Sequence, residues 1–212
     1  MDDILSKLYN AILEGDVPVA ESMAKKAIEA GCDPLKAIEK ASEAIREVGE
    51  RFGRGEYFLP ELVMSAEAMK AIMRVLLPEV RRRGGKIEYK GRVVIATVAG
   101  DIHDIGKSLV AALLEVNGFE VIDLGVDVPT QTIIDKVKEL KPDILGLSAL
   151  LTTTMLEQKR VIEALKKAGL RDKVKVMVGG AAVNEEWAKM IGADAYGSDA
   201  YDAVEKANKL LT

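Results

Sequence analysis

A single cysteine, Cys32, and a single histidine, His103, are the only cysteine and imidazole side chains in this chain of 212 residues. One cysteine excludes an intramolecular disulfide framework and suits a reducing compartment. One histidine and one cysteine, far apart in sequence, exclude a zinc or iron site built from several such ligands. An excess of charge of one sign is also missing. The 30 Lys and Arg stand against 34 Asp and Glu, a formal net charge of −4 with the two signs interspersed, so no basic face for nucleic acid is expected. No apolar run is long enough to span a bilayer, and the N-terminus shows no signal-peptide pattern. The expectation is a cytoplasmic protein whose partners are neither membrane nor nucleic acid. Aromatic residues make up only 4%, which leaves a mainly aliphatic core.

What is present divides in two. Residues 1–82 read as wholly helical. Ile4, Leu5, Leu8, Ile12 and Leu13 form one apolar face that ends at Gly15. Asp16 with Pro18, and Asp33 with Pro34, are start signals for the second and third helices, and Gly31 closes the second. Leu35, Ile38, Ile45, Val48 and Phe52 recur at helical intervals. A fourth helix begins at about Leu59 or Pro60 and runs into the Leu76-Leu77-Pro78 region. Four amphipathic helices with short loops predict an antiparallel bundle. The basic, glycine-containing stretch from Arg81 to Lys86 reads as a solvated linker, with its bounds set at 83–90.

From 91 to 212 the pattern changes to strands alternating with helices. Strands are expected at Val93–Ala99, Glu120–Asp123, Ile144–Ser148, Val174–Val178 and near Ala195–Tyr196. Helices are expected at Lys107–Val116, Thr130–Leu140, Met155–Lys167, Glu185–Met190 and Ala200–Leu211. Such alternation implies a Rossmann-like, flavodoxin-like sheet of five parallel strands wound on both faces. The fold class is therefore a helical bundle followed by an α/β domain.

His103 falls on the loop between the first strand and the first helix of this second half, within Asp101-Ile102-His103-Asp104-Ile105-Gly106. In an open parallel sheet that loop opens at the carboxyl edge, where ligands bind. The segment ends Gly-Lys-Ser and so imitates a phosphate loop, but five residues separate Gly100 from Gly106 where such a loop has four. Two of those five are aspartates, which would repel phosphate. A corrin ring is a different case. It supplies four nitrogens to its cobalt, and one histidine completes the protein's share. The other loops at this edge are poor in bulk: Leu124-Gly125-Val126-Asp127-Val128-Pro129, Ser148-Ala149-Leu150-Leu151-Thr152-Thr153-Thr154 and Gly179-Gly180-Ala181-Ala182. They outline a slot of small residues beside a metal ligand.

Asp101-x-His103-x-x-Gly106, Ser148-x-Leu150 and Gly179-Gly180 stand in this order. They resemble the signature of the cobalamin-binding corrinoid proteins of methyltransferase systems, relatives of the cobalamin module of methionine synthase. The resemblance extends to Gly53-Arg54-Gly55-Glu56-Tyr57-Phe58-Leu59-Pro60-Glu61-Leu62, which is similar to that family's entry to its cap helix. It implies a cofactor, cobalamin, handled as methylcobalamin and cob(I)alamin and bound base-off. His103 would be the axial cobalt ligand, with a relay from His103 to Asp101 and on to Ser148. The nucleotide tail would enter a slot lined by Gly106, Ser148, Gly179 and Gly180. The candidate cofactor contacts also include Asp104, Ser108, Gly125, Val126, Leu150 and Thr152.

The resemblance further implies a methyl carrier, a corrinoid subunit rather than a complete enzyme. It would shuttle a methyl group between a substrate-specific methyltransferase and a second methyltransferase acting on coenzyme M or tetrahydrofolate, and a reductive activation protein would serve it. Residues 1–82 would be the cap and the linker a hinge. Phe58, Leu59, Leu62, Met64, Met69 and Met73 are on that element, but Leu and Met at helical spacing are ordinarily core, so the role is given to the element. Rival readings are a mutase subunit, a cobalamin-sensing regulator and a receiver-like domain. The bundle ahead of the sheet favours the methyl-transfer branch over the mutase. A regulator would need a DNA-binding domain for which no residues are left over. A receiver-like domain leaves Ser148-Ala149-Leu150, Gly179-Gly180 and the helical half unexplained.

Overall fold

The computed structural model describes residues 2–83 and 88–212, Arg81 by its backbone alone. The chain falls into two compact units, Met1–Glu88 and Tyr89–Thr212. Four helices make up the first: α1 (Asp2–Leu13), α2 (Val17–Glu29), α3 (Pro34–Gly53) and α4 (Leu59–Arg82). The two Asp-Pro starts behave as their chemistry dictates. Asp16 accepts the Val19 amide at 3.0 Å and Asp33 the Leu35 amide at 3.0 Å, each satisfying a free N–H at a helix start. Leu8, Ile12, Ile45, Val48, Leu62, Ile72 and Leu76 are buried between the helices, interleaved with alanines that allow close approach. Leu62 is thus core, whereas Phe58 and Met64 are exposed.

α4 is longer than the sequence pattern suggests. It runs through Pro78 to Arg82, so Arg81 and Arg82 are helical and not linker. Burial of Val80 and the ion pairs of Glu79 with Arg82 and Arg83, both at 2.7 Å, fix the turn beyond the proline. Hydrogen bonds from Arg82 and then Arg83 hold the Glu79 carboxyl down to about 2. Of the expected linker, residues 84–87 lie outside the described residues. Lys90 already belongs to the second unit, its amide donating to the Gly118 carbonyl at 3.0 Å.

The second unit runs β1 (Arg92–Thr97), α5 (Ile105–Val116), β2 (Glu120–Asp123), α6 (Thr130–Leu140), β3 (Ile144–Ser148), α7 (Met155–Lys167), β4 (Lys175–Gly179), α8 (Glu185–Ile191), β5 (Ala195–Gly197) and α9 (Ala200–Leu210). A 3-10 turn at Arg171–Lys173, without a signal in the sequence, precedes β4. The sheet order is β2-β1-β3-β4-β5, all parallel. This flavodoxin-like order reverses direction between β1 and β3, and the crevice above that point is where such sheets bind ligands.

The two faces of the sheet differ. Val94, Ala96, Leu145, Leu147, Val176 and Val178 pack with side chains of α6, α7 and α8, among them Ile133, Ile162, Leu165 and Trp187. The row turned the other way is Ile95, Gly146 and Met177, followed by Thr97, Ser148, Gly179 and Gly197. Strand residues alternate between faces, so one face is filled by aliphatic side chains along its length and the other has a glycine at its centre. α5 and α9 pack on each other and along this second face.

Candidate functional site

Under-filling that face leaves a cavity of about 540 Å³ between the sheet and helices α5 and α9. Ile95, Gly146 and Met177 floor it, Gly106, Leu109 and Val110 of α5 wall one side, and Ala200 and Ala203 of α9 the other. Gly146 is decisive for the depth: a Cβ there would lie 3.1 Å from the Ile95 side chain. At the upper end the cavity reaches His103, Ser148, Leu150, Gly179 and Gly180. Gly180 has φ +121, and a Cβ on it would stand 1.9 Å from the Ala149 carbonyl oxygen, so this turn takes glycine alone.

His103 is set by the loop that leaves β1. Thr97, fully buried, donates its hydroxyl to the His103 carbonyl at 3.0 Å. Asp101 is 1% exposed and uses both carboxylate oxygens. Oδ1 accepts the His103 amide at 3.0 Å and lies 2.7 Å from His103 Nδ1. Oδ2 accepts the Leu150 amide at 2.7 Å and the Thr154 hydroxyl at 2.6 Å. Burial pushes the Asp101 carboxyl up, but the Thr154 hydroxyl, the two amides and the imidazole together outweigh it and hold the group below the ordinary carboxylate range. An ionised carboxylate only accepts, so Nδ1 carries the hydrogen and a neutral ring has its lone pair on Nε2. Among the described residues Nε2 has no hydrogen-bond partner, and the side chain is 47% exposed.

The hydroxyl behind Asp101 is therefore that of Thr154, not Ser148. Among the described residues Ser148 makes no side-chain hydrogen bond to Asp101. It sits in the sheet opposite Thr97 and Gly179 and lines the cavity. The reason is position: Thr154 stands at the N-terminus of α7 but makes no cap with its side chain, and its single hydroxyl hydrogen goes to the charged acceptor. The run Thr152-Thr153-Thr154 was visible in the sequence; only the turn into α7 shows which of the three faces Asp101.

Of the other expected contacts, Gly106, Leu150, Gly179 and Gly180 line the cavity with His103 and Ser148. Asp104, Ser108, Gly125, Val126 and Thr152 do not. Asp104 instead accepts the Ser108 hydroxyl at 3.0 Å and pairs with Lys107 at 2.7 Å. Lys107, buried and also paired with Asp123, lines the cavity and was missed, as were Gly146, Tyr196, Ser198 and Asp199. A glycine inside a buried strand was the available signal for Gly146; the residues around β5 carry none.

No three His, Cys, Asp or Glu side chains gather as a metal site among the described residues. One imidazole beside a deep apolar slot suits a metal that brings its own equatorial donors, which is the donor set of cobalamin. Comparison with known proteins points the same way. Family models described as B12 binding domains match residues 91–205 and 4–77. The trimethylamine corrinoid protein of Methanosarcina barkeri is 49% identical over 99% of this chain and 97% of its own length. A corrinoid protein of Desulfitobacterium hafniense is 44% identical over 98% and 97%. A chain in the crystal structure of the methanol:cobalamin methyltransferase complex MtaBC from Methanosarcina barkeri superposes with a TM-score of 0.87 at 35% identity, covering 99% of this chain and 80% of that one.

Proposed function

The chain belongs to the family of B12-binding corrinoid proteins, whose cofactor is cobalamin, and from that premise we propose that it is a methyl carrier with His103 as the axial cobalt ligand. The observation that carries this reading is the chain of hydrogen bonds from Thr154 through Asp101 to His103 at the mouth of the slot. Bound cobalamin supplies a cobalt centre able to accept and donate a methyl group. The protein supplies the rest.

Asp101 fixes the Nδ1–H tautomer and the plane of the ring, which presents the Nε2 lone pair to a metal. When His103 is not ligating, Nε2 can hold a proton, and the ionised Asp101 faces the resulting imidazolium without rearrangement. Gly106, Ser148, Gly179 and Gly180 admit the nucleotide tail, Ser148 offering a hydroxyl and Gly146 the depth. We assign the unit Tyr89–Thr212 as the cofactor-binding domain and the helical unit before it as the cap.

The relatives' names support a methylamine-linked partner on the donor side. A donor methyltransferase of the methylamine class is proposed, since corrinoid proteins named for trimethylamine and dimethylamine are 49% and 46% identical. A second methyltransferase, to coenzyme M or tetrahydrofolate, and a reductive activation protein complete the system.

The test is electron paramagnetic resonance of cobalt(II) in protein grown in nitrogen-15 and loaded with cobalamin of natural isotopic composition. A doublet splitting from a protein nitrogen, absent in His103→Ala, is expected. A triplet from the cofactor's own benzimidazole would overturn the ligation. Methyl transfer from a methylamine by a cognate methyltransferase then tests the carrier role.

A further inference from the structure

The loop that carries His103 is held from outside by the neighbouring loop between β2 and α6, and we propose that Asp127 is the positioning residue that does so. The inference rests on the reading of His103 as the cobalt ligand. Asp127 grips the His103 loop twice. Its Oδ1 accepts the Gly100 amide at 2.6 Å, and its own amide donates to the Asp101 carbonyl at 2.8 Å. Gly100 and Asp101 are the two residues immediately before the Ile102-His103 pair, so both grips act on the main chain that aims the imidazole. Among the described residues the Gly100 amide has no other acceptor.

The backbone of Asp127 shows what this arrangement demands. Its φ is +50, in the left-handed region that glycine occupies far more readily. Glycine would relax the strain but could not accept from Gly100. The side chain is exposed, so packing in a core does not account for it. The adjacent residues lock the same seam: the Val128 amide donates to the Thr97 carbonyl at 3.1 Å, and the Thr97 amide to the Gly125 carbonyl at 3.0 Å. Lower down, the buried Lys107 pairs with Asp104, at the end of the His103 loop, and with Asp123, at the end of β2. The two loops are thus tied at both levels, and Asp127 supplies the only side-chain grip above Asp101 among the described residues. Asp101 sets the orientation of the ring, whereas Asp127 sets where Asp101 and His103 sit relative to the sheet.

Amide hydrogen exchange on the full chain without cofactor, followed residue by residue in Asp127→Ala, Asp127→Gly and Asp127→Asn, tests the clamp. Exchange at Gly100 is expected to rise by about tenfold or more in the Ala and Gly variants and to stay near wild type in Asn, which keeps the oxygen and tolerates the left-handed backbone. After loading with cobalamin, the share of cobalt(II) showing the protein-nitrogen doublet falls in Ala and Gly and returns in Asn. An Ala variant with unchanged Gly100 exchange, or with faster exchange and an undiminished doublet, would overturn the positioning role. Recovery in the Gly variant would do the same, because backbone strain and not the acceptor would then be what matters. Wild-type protein lacking the doublet would sink the ligation reading instead, and the exchange data on the cofactor-free protein would still decide whether Asp127 orders the loop.

Discussion

At the scale of single residues, the site is organised around a buried carboxylate. A charge removed from water is costly unless its lone pairs are used, and Asp101 is tolerated because two amides, a hydroxyl and an imidazole surround it. Those bonds place its folded titration below the ordinary aspartate value of about 3.9. Their contribution to stability is therefore complete above that pH and is lost as pH falls. Thr154→Val removes one donor to the carboxylate and should cost the cofactor-free protein about 1.5–3 kcal/mol at neutral pH. The cost should shrink on acidification below about pH 4. Urea unfolding at the two pH values measures it, and Ser148→Ala serves as the contrast, expected to leave the pH dependence as in wild type. A pH-independent loss in Thr154→Val would mean that the hydroxyl acts through its bonds to the Leu151 main chain and not through the charge on Asp101.

At the scale of elements, the slot exists because β3 carries a glycine where its neighbours carry Ile95 and Met177. Gly146→Ala brings a methyl to 3.1 Å from a side chain that itself borders open space. Ile95 can give way toward the cavity, so the fold should survive at a cost of about 1–3 kcal/mol, while the slot loses depth. Cobalamin affinity should fall by about tenfold or more, read by titration of the cofactor's absorbance with circular dichroism as the fold control; unchanged affinity would show that the tail does not reach the floor. The elements themselves were largely legible. The buried run Val93-Val94-Ile95-Ala96 and the helical spacing of α5 to α7 leave little choice of period. Element ends were less so: β1 stops at Thr97, two residues before the apolar run does, and α4 continues past Pro78. In both cases tertiary contacts overrule local signals, because Thr97 bonds to the β2–α6 loop, the Val98 carbonyl turns back to accept the Asp101 amide, and Val80 finds burial.

At the scale of the molecule, the unit Tyr89–Thr212 closes one face of its sheet with branched aliphatics and leaves the other hollow. A ligand that fills the hollow of the folded state stabilises it by mass action. Free cobalamin at a hundredfold excess over its Kd should add about 2.7 kcal/mol, visible as slower amide exchange in β1, β3 and β4, and an unchanged exchange there would mean that binding is confined to the rim. The sequence alone determined the broad plan: four helices and then a parallel sheet, a lone histidine on the loop after the first strand of that sheet, and a cofactor that must bring its own metal donors. Periodicity, caps and ligand counts are local properties, and local properties are readable in one dimension. The tertiary structure decided which hydroxyl stands behind Asp101, that Gly146 opens the slot, and that Asp127 grips the loop of His103. Those contacts join residues 53, 51 and 27 positions apart in the chain, Thr154 to Asp101, Gly146 to Ile95 and Asp127 to Gly100. Only the order of strands in the sheet sets such distances.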